Sequence, residues 1–279
     1  MSALKAAFNW YDQNIGPYPY PAYSLIDVPF CGLAAAGMEY PMLATGFALK
    51  LMPSWFRLPE ETVIHEFGHS YFQGMLANNE FREAWLDEGV NTYVTSLIMN
   101  EVYGSCSFTG WERYCADAFK RLIDGDHQWL RYVKPDQPSD SFPNRNAYTE
   151  AAYTKVALLL KTIENRVGTD TMKMVLQDYW KRYRFGHPAG DDFILHLNSF
   201  TENRFADLID KVVHTAAYPD ARVHGLDSSP VLPFKGYVPD KDTYMEEPED
   251  TGRIQYRITM VKRDLPLDIP WQIQLSNGE

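Results

Sequence analysis

His65-Glu66-Phe67-Gly68-His69, followed after 18 intervening residues by Glu88, is the stretch from which the fold and chemistry of this chain can be predicted. Histidines spaced in this way lie on one face of an α-helix, because the helix turns once in 3.6 residues. Two imidazole nitrogens and a carboxylate oxygen form the ligand set of a catalytic zinc site, in which a further position stays open. Glu66 is predicted to act as a general base for water rather than as a ligand.

The neighbouring residues predict that both ligand-bearing segments are buried helices rather than surface helices. Pro59 and the acids after it suit the first turn of a helix over residues 59–76. Trp85-Leu86-Asp87-Glu88-Gly89 opens a second apolar helix, over residues 84–103, with Gly104 as its stop. Buried imidazoles without a partner would be costly. We therefore predict one Zn²⁺ per chain, with His65, His69 and Glu88 as its ligands.

Two further motifs flank the His65–His69 motif and the Trp85–Gly89 motif. Gly37-Met38-Glu39-Tyr40-Pro41 lies upstream, and Tyr148 to Lys155 downstream. In this order the four motifs resemble those of the gluzincin zinc aminopeptidases, the family of aminopeptidase N and leukotriene hydrolase. The upstream motif is similar to the exopeptidase signature G-x-M-E-N, in the M-E-Y-P form of bacterial members. Tyr153 matches the catalytic tyrosine, although Val156 stands where that family has glycine.

The resemblance implies roles for these residues. Glu39 would bind the free α-amino group of a peptide, and Gly37 and Met38 would lie beside the substrate backbone. Tyr153 would donate a hydrogen bond to the oxyanion of the tetrahedral intermediate. Asp87 and Thr92 are expected to hydrogen-bond the metal ligands.

Composition narrows the function further. The net charge is −11 and Lys and Arg form no cluster, so nucleic acid is not an expected partner. No apolar run reaches the length of about 18 residues that a membrane span needs. The three cysteines predict neither a disulfide framework nor a cysteine metal site. Without a signal peptide or disulfide pattern, the chain is expected in the cytoplasm; an exported, longer parent protein is the alternative.

The predicted fold class is α+β and mainly helical. The resemblance implies a thermolysin-like catalytic domain over residues 1–217, followed by a linker over 218–252 and a partial β-domain over 253–279. Residues 8–52 are expected to mix short strands, at 24–28 and 42–51, with turns. Further helices are predicted over residues 110–124, 148–166, 170–184, 191–199 and 201–214, the last with Thr201 as N-cap. Alternating residues predict a strand hairpin over 254–260 and 271–275.

The most direct interpretation is an aminopeptidase that acts on peptides with a free N-terminus. A zinc endopeptidase would keep the same metal site, Glu66 and Tyr153, but would make no use of Glu39. A non-catalytic, peptide-binding fragment is the third interpretation. The resemblance also implies an N-terminal β-domain that this chain lacks, and with it a Gln or Glu of the amine-binding subsite.

Overall fold

The computed structural model describes residues 2–48, 52–111, 114–125 and 127–217 with their side chains, and backbone strands within 220–263. The chain divides into two compact units, Met1–Ala217 and Tyr218–Glu279. The first unit is mainly helical. Its helices are α1 Ser2–Asn14, α2 Leu58–His69, α3 Val90–Tyr103, α4 Ala118–Asp124, α5 Arg145–Tyr148, α6 Val156–Val167, α7 Thr169–Tyr183, α8 Gly190–Phe200 and α9 Ala206–His214. Among the described residues, no helix has the length and apolar character to cross a membrane.

Short π-helical turns continue three of these helices at the positions of the predicted site. They are Ser70–Met75 after α2, Trp85–Gly89 before α3, and Thr149–Lys155 between α5 and α6. A π-turn widens the helix by one residue and is often found at functional sites. The predicted helices over residues 59–76 and 84–103 are confirmed, with this local widening at the ligand-bearing ends.

The described strands belong to small sheets. They are β1 Ser24–Asp27, β2 Met38–Tyr40, β3 Leu43–Gly46, β4 Thr109–Trp111, β5 Tyr114–Ala116, β6 Asp220–Pro230, β7 Lys235–Val238, β8 Thr243–Glu246 and β9 Ile254–Arg263. In the first sheet, β3 lies between β1, to which it is parallel, and β2, to which it is antiparallel. β2 therefore lies at an edge of this sheet, and it carries Glu39 opposite Ala44.

Aromatic packing fixes α2 against α1. Tyr11 of α1 stacks on Tyr71 with ring centroids 4.3 Å apart, and the ring centroids of Phe8 and Phe67 are 4.1 Å apart.

The prediction of short strands and turns from residue 8 onward is wrong up to Asn14, because these residues belong to α1. Its buried residues, Ala3, Ala7 and Trp10, recur at helical rather than alternate spacing.

Two helix predictions are wrong in part. The helix predicted over residues 110–124 begins only at Ala118, because β4 and β5 pair before it. Asp117 is the N-cap of α4 and accepts from Lys120 N at 2.8 Å. Thr201 is not the N-cap of α9, which begins at Ala206. Its hydroxyl instead donates to Leu197 O at 3.0 Å, at the end of α8.

The expectation that the cysteines form no disulfide is also wrong. The hairpin pairing of β4 and β5 brings Cys106 and Cys115 together with Cα atoms 4.9 Å apart, and they are disulfide-bonded. The odd cysteine, Cys31, is free and exposed. The absence of a disulfide pattern thus no longer supports a cytoplasmic location.

The second unit differs from the predicted linker and hairpin. Residues 220–246 contain β6, β7 and β8, where a linker is expected. β9 covers the predicted strand at 254–260, but it pairs antiparallel with β6. The predicted partner strand at 271–275 lies outside the described residues. Of the prolines in this segment, the structure describes Pro230, which ends β6.

Gly89 allows the turn that carries Glu88 to approach the segment that carries Tyr153. A Cβ at this position would lie 2.5 Å from Val156 Cβ and 2.6 Å from the backbone O of Ala152. Both distances are far below van der Waals contact, and one of the atoms is backbone, so the two segments would have to separate.

We expect Gly89→Ala to lower the free energy of unfolding by about 2–3 kcal/mol, because overpacked cores must move backbone. Urea unfolding of Met1–Glu279 measures this change. Gly32→Ala is the matched control, since its nearest atoms would be 3.6 Å away. Equal stability of the two variants would contradict the close approach.

Candidate metal centre and active site

Three ligand-type atoms converge at the N-terminal end of α3. His65 Nε2 and His69 Nε2 are 3.1 Å apart, and Glu88 Oε2 lies 3.2 Å from the first and 3.4 Å from the second. A tetrahedral ion with bonds of about 2.0–2.1 Å requires ligand atoms about 3.3–3.4 Å apart. The triangle therefore has the size that a bound Zn²⁺ needs.

The protonation of His69 supports the same conclusion. Its Nδ1 lies 2.6 Å from Asp87 Oδ1, so Nδ1 carries the proton and donates it to this carboxylate. In the neutral ring Nε2 then presents a lone pair towards His65 and Glu88. A cation placed between these atoms would be bound by both imidazole nitrogens and by the carboxylate. The nitrogen and oxygen donors match the ligand preference of zinc.

Neighbouring side chains hold the ligands in place. The predicted contact of Asp87 is present, but Thr92 makes no such bond: its Oγ1 is buried without a partner among the described residues. Asn91, which no sequence motif indicated, donates from Nδ2 to His65 O at 2.8 Å. It lies on the helix turn after Glu88, so helical spacing from the ligand was an available signal.

Glu66 lies beside the three predicted ligands but is not one of them. Its side chain is 5% exposed, and Oε2 has no hydrogen-bond partner among the described residues. With His65, Thr92 and Tyr153 it lines a cavity of about 180 Å³. Burial raises the pKa of Glu66 to about 7, against the opposing charges of the two histidines. A carboxyl group that lines a cavity and whose pKa lies near neutrality is suited to accept a proton from a molecule bound there.

Tyr153 reaches the centre from the third π-turn. Its hydroxyl donates to Glu88 Oε1 at 2.5 Å, and its ring stacks on His65 with centroids 5.8 Å apart. Burial, together with Glu88, raises the pKa of Tyr153, so the phenol stays protonated and able to donate. Tyr148, which begins the same motif, packs edge-on against Tyr153 with ring centroids 5.8 Å apart.

The upstream motif meets the same centre. The carboxylate of Glu39 lies within 4.8 Å of a carboxylate oxygen of Glu66 and a ring nitrogen of His69. Gly37 has a positive φ of 69°, and a Cβ there would lie 3.5 Å from Glu66 Oε1. Met38 is 41% exposed on the edge strand β2. The structure therefore brings Glu39 and Gly37 to the centre that holds Glu66 and His69, and it gives no contact of Met38 with these residues.

This arrangement defines a mainly helical protein with a candidate His-His-Glu metal centre, and comparison with known proteins gives its family. Residues 1–215 match the Peptidase family M1 domain, and the chain belongs to this family. It is similar to human aminopeptidase B, with 26% identity over 220 residues that cover 75% of this chain and 33% of that protein.

Solved structures share the fold. The M1 zinc metallopeptidase of Deinococcus radiodurans matches with a TM-score of 0.55 and 18% identity, over 78% of this chain and 44% of its own. Legionella pneumophila aminopeptidase A, in complex with aspartic acid, matches with a TM-score of 0.62 and 17% identity, over 94% and 31%. The chain spans about a third of the length of the curated relatives it matches.

Asp87→Asn should weaken Zn²⁺ binding about tenfold to a hundredfold, because the amide no longer holds the proton on His69 Nδ1 and its ring orientation. Competition with a chromophoric chelator measures the affinity. Asp210→Asn, an exposed change of equal charge in α9, is the control. Unchanged affinity in Asp87→Asn would contradict the role of this contact.

Proposed function

We propose that the chain carries the catalytic unit of a zinc-dependent aminopeptidase, which removes N-terminal residues from peptides. The observation that carries this proposal is the place of Glu39. Its carboxylate lies within 4.8 Å of both Glu66 and His69, next to the predicted base and the predicted metal. An anion so close to the reacting bond favours a positively charged amine there, and this restricts cleavage to the first peptide bond.

His65, His69 and Glu88 would hold one Zn²⁺ per chain. When bound, the ion supplies a Lewis acid that polarises a carbonyl and makes water nucleophilic near neutral pH. Glu66 is the base that takes the proton from the attacking water, and its buried, unpartnered Oε2 suits this task. The same carboxyl group then passes the proton to the leaving amine.

Tyr153 is proposed to stabilise the negative charge that develops on the substrate carbonyl oxygen. Tyr153 lines the same cavity as Glu66, and in the protein without substrate its hydroxyl donates to Glu88. A donor that is already protonated and buried acts on this charge with little reorganisation. Rotation of the phenol from Glu88 to the oxyanion is the movement that this role requires.

Glu39 and the edge strand β2 would hold the substrate. The α-ammonium group binds the carboxylate of Glu39 by charge-assisted hydrogen bonds. The free edge of β2, which begins at Met38 after Gly37, offers backbone groups to an extended peptide.

The arrangement of domains along the chain is part of the same proposal. The small sheet β1–β3–β2, with α2 packed on it and α3 packed on α2, would be the core of a thermolysin-like domain. Residues 1–217 would form this catalytic domain with its helical bundle, and the strands after residue 220 the start of a separate β-domain. The substrates would be peptides with a free N-terminus.

Glu39→Gln should lower kcat/KM for aminoacyl reporters with a free amine roughly tenfold to a hundredfold, because the ammonium loses its charged partner. Activity on N-acetylated reporters should be very low in the wild type and unchanged by this substitution. Hydrolysis of both reporter classes by the zinc-loaded protein measures the effect.

Glu66→Gln is the control that shows whether hydrolysis depends on proton transfer by this carboxylate. It should lose turnover on every reporter while zinc stays bound, since the amide keeps its size but cannot accept the proton. Equal activity of the wild type on acetylated and free reporters would favour an endopeptidase and overturn the proposal. Absence of turnover in the wild type would favour a peptide-binding protein.

A further inference from the structure

The π-turn Thr149–Lys155 contains two buried ionisable residues, Glu150 and Lys155, that the proposed mechanism does not use. Glu150 is 8% exposed and Lys155 is 4% exposed. They flank Tyr153, whose hydroxyl donates to Glu88 in the candidate centre. Burying a carboxylate or an ammonium group is costly unless its hydrogen-bonding capacity is used. The partners of these two side chains therefore indicate what they do.

Glu150 binds N–H groups of the loop that follows α4. Its Oε2 accepts from Trp129 N at 2.8 Å and from Leu130 N at 3.1 Å. One carboxylate oxygen thus binds two successive backbone amides, and charge-assisted hydrogen bonds of this kind are roughly twice as strong as neutral ones. The beginning of this loop is therefore fixed to the beginning of the π-turn.

Lys155 binds carbonyl groups of the same loop. Its Nζ donates to Val133 O at 3.3 Å and to Leu130 O at 3.5 Å, and it also donates to Thr215 O, just after α9, at 3.1 Å. The three N–H donors of an ammonium group match these three acceptors. Among the described residues Lys155 forms no ion pair, and burial lowers the pKa of Lys155 to about 8. The ammonium group is therefore still mainly charged at pH 7, and carbonyl dipoles stabilise it.

Apolar packing joins the loop over residues 129–133 to the same π-turn. Val133 forms a buried cluster with Ala147 and Ala151, and Trp129 and Phe142 pack against this cluster. The hydrophobic effect is non-directional, so such a cluster alone does not fix how the two segments are aligned. Hydrogen bonds depend on distance and angle, and those at both ends of the π-turn do fix it.

The geometry of the π-turn decides where Tyr153 lies. A π-turn is rare and widens the helix by one residue, so contacts from outside the helix must maintain it. Relaxation to α-helical geometry would rotate the side chains that follow by up to about 100°, the angle between successive residues of an α-helix. The hydroxyl of Tyr153 would then lose Glu88 Oε1, which it contacts at 2.5 Å.

We propose that Lys155 and Glu150 are positioning residues for Tyr153. By binding the 129–133 loop at both ends of the π-turn, they hold the phenol hydroxyl at the metal centre. The inference rests on the proposed aminopeptidase function, and it adds two residues that do not touch the substrate. Their loss should lower kcat rather than raise KM, because a misplaced donor stabilises the transition state less while the contact of the substrate with Glu39 is kept.

A double-mutant cycle tests this proposal, since Lys155 should act only through the hydroxyl of Tyr153. Lys155→Met should lower kcat for a free-amine aminoacyl reporter about tenfold to a hundredfold, with KM changed by less than about twofold. In the Tyr153→Phe background, the same substitution should change kcat by less than about twofold. Lys161→Met, which removes a partly buried lysine from α6, is the matched control and should leave kcat unchanged.

Two results of this cycle would overturn the proposal. One is an unchanged kcat in Lys155→Met. The other is an equal fold loss with and without the Tyr153 hydroxyl, which would show that Lys155 maintains only the amount of folded protein.

Glu150 provides a second pair of variants, which decides the question if Lys155→Met does not fold. Glu150→Gln keeps a carbonyl oxygen for the N–H groups of Trp129 and Leu130, and it should retain kcat within about threefold. Glu150→Leu removes this acceptor and should lower kcat about tenfold, an effect that should vanish in the Tyr153→Phe background. Equal kcat in the two Glu150 variants, or a loss that persists without the Tyr153 hydroxyl, would contradict the proposal.

Failure of the proposed function is distinguishable. If no reporter is cleaved, fluorine NMR of the zinc-loaded protein labelled with fluorotyrosine reports on the surroundings of Tyr153, whose resonance is assigned by its loss in Tyr153→Phe. Lys155→Met should shift or split this resonance, and Lys161→Met should not. A Tyr153 resonance that Lys155→Met leaves unchanged would overturn the positioning role, whether or not the protein is an enzyme.

Discussion

The convergence of His65, His69 and Glu88 is the constraint on which the rest of the structure depends. Their donor atoms lie 3.1–3.4 Å apart, so packing elsewhere in the protein must bring three side chains from two helical segments to one point. Two glycines make this possible. A Cβ at Gly68 would lie 1.9 Å from Asn91 Oδ1, and one at Gly89 would meet the backbone of the Tyr153 segment.

Much of the centre could be predicted from the sequence because its information is local. His65, Glu66 and His69 are related by the helix period alone, and Glu88 follows on the next helix of the chain. Capping signals and apolar periodicity also place most helix ends within a few residues. Capping and periodicity depend on residues within one or two helical turns, so a single sequence already contains the information that sets them.

Contacts between distant segments were not predictable in the same way. Tyr153 donates to a residue 65 positions earlier, and only the motif resemblance suggested it. Glu150 and Lys155 lie on a predicted helix, but the loop over residues 129–133 that they bind is adjacent to them only in the folded chain. The disulfide depends likewise on a short hairpin, whose strands of three residues are too brief to show alternation.

X-ray absorption at the zinc edge of the zinc-loaded protein tests the central claim most directly. We expect one Zn²⁺ per chain with two imidazole nitrogens and carboxylate or water oxygens at about 2.0–2.1 Å, and no sulfur. Replacing His65 by alanine should remove one imidazole contribution. A sulfur neighbour at about 2.3 Å, or a spectrum that His65→Ala leaves unchanged, would contradict the assignment of the centre.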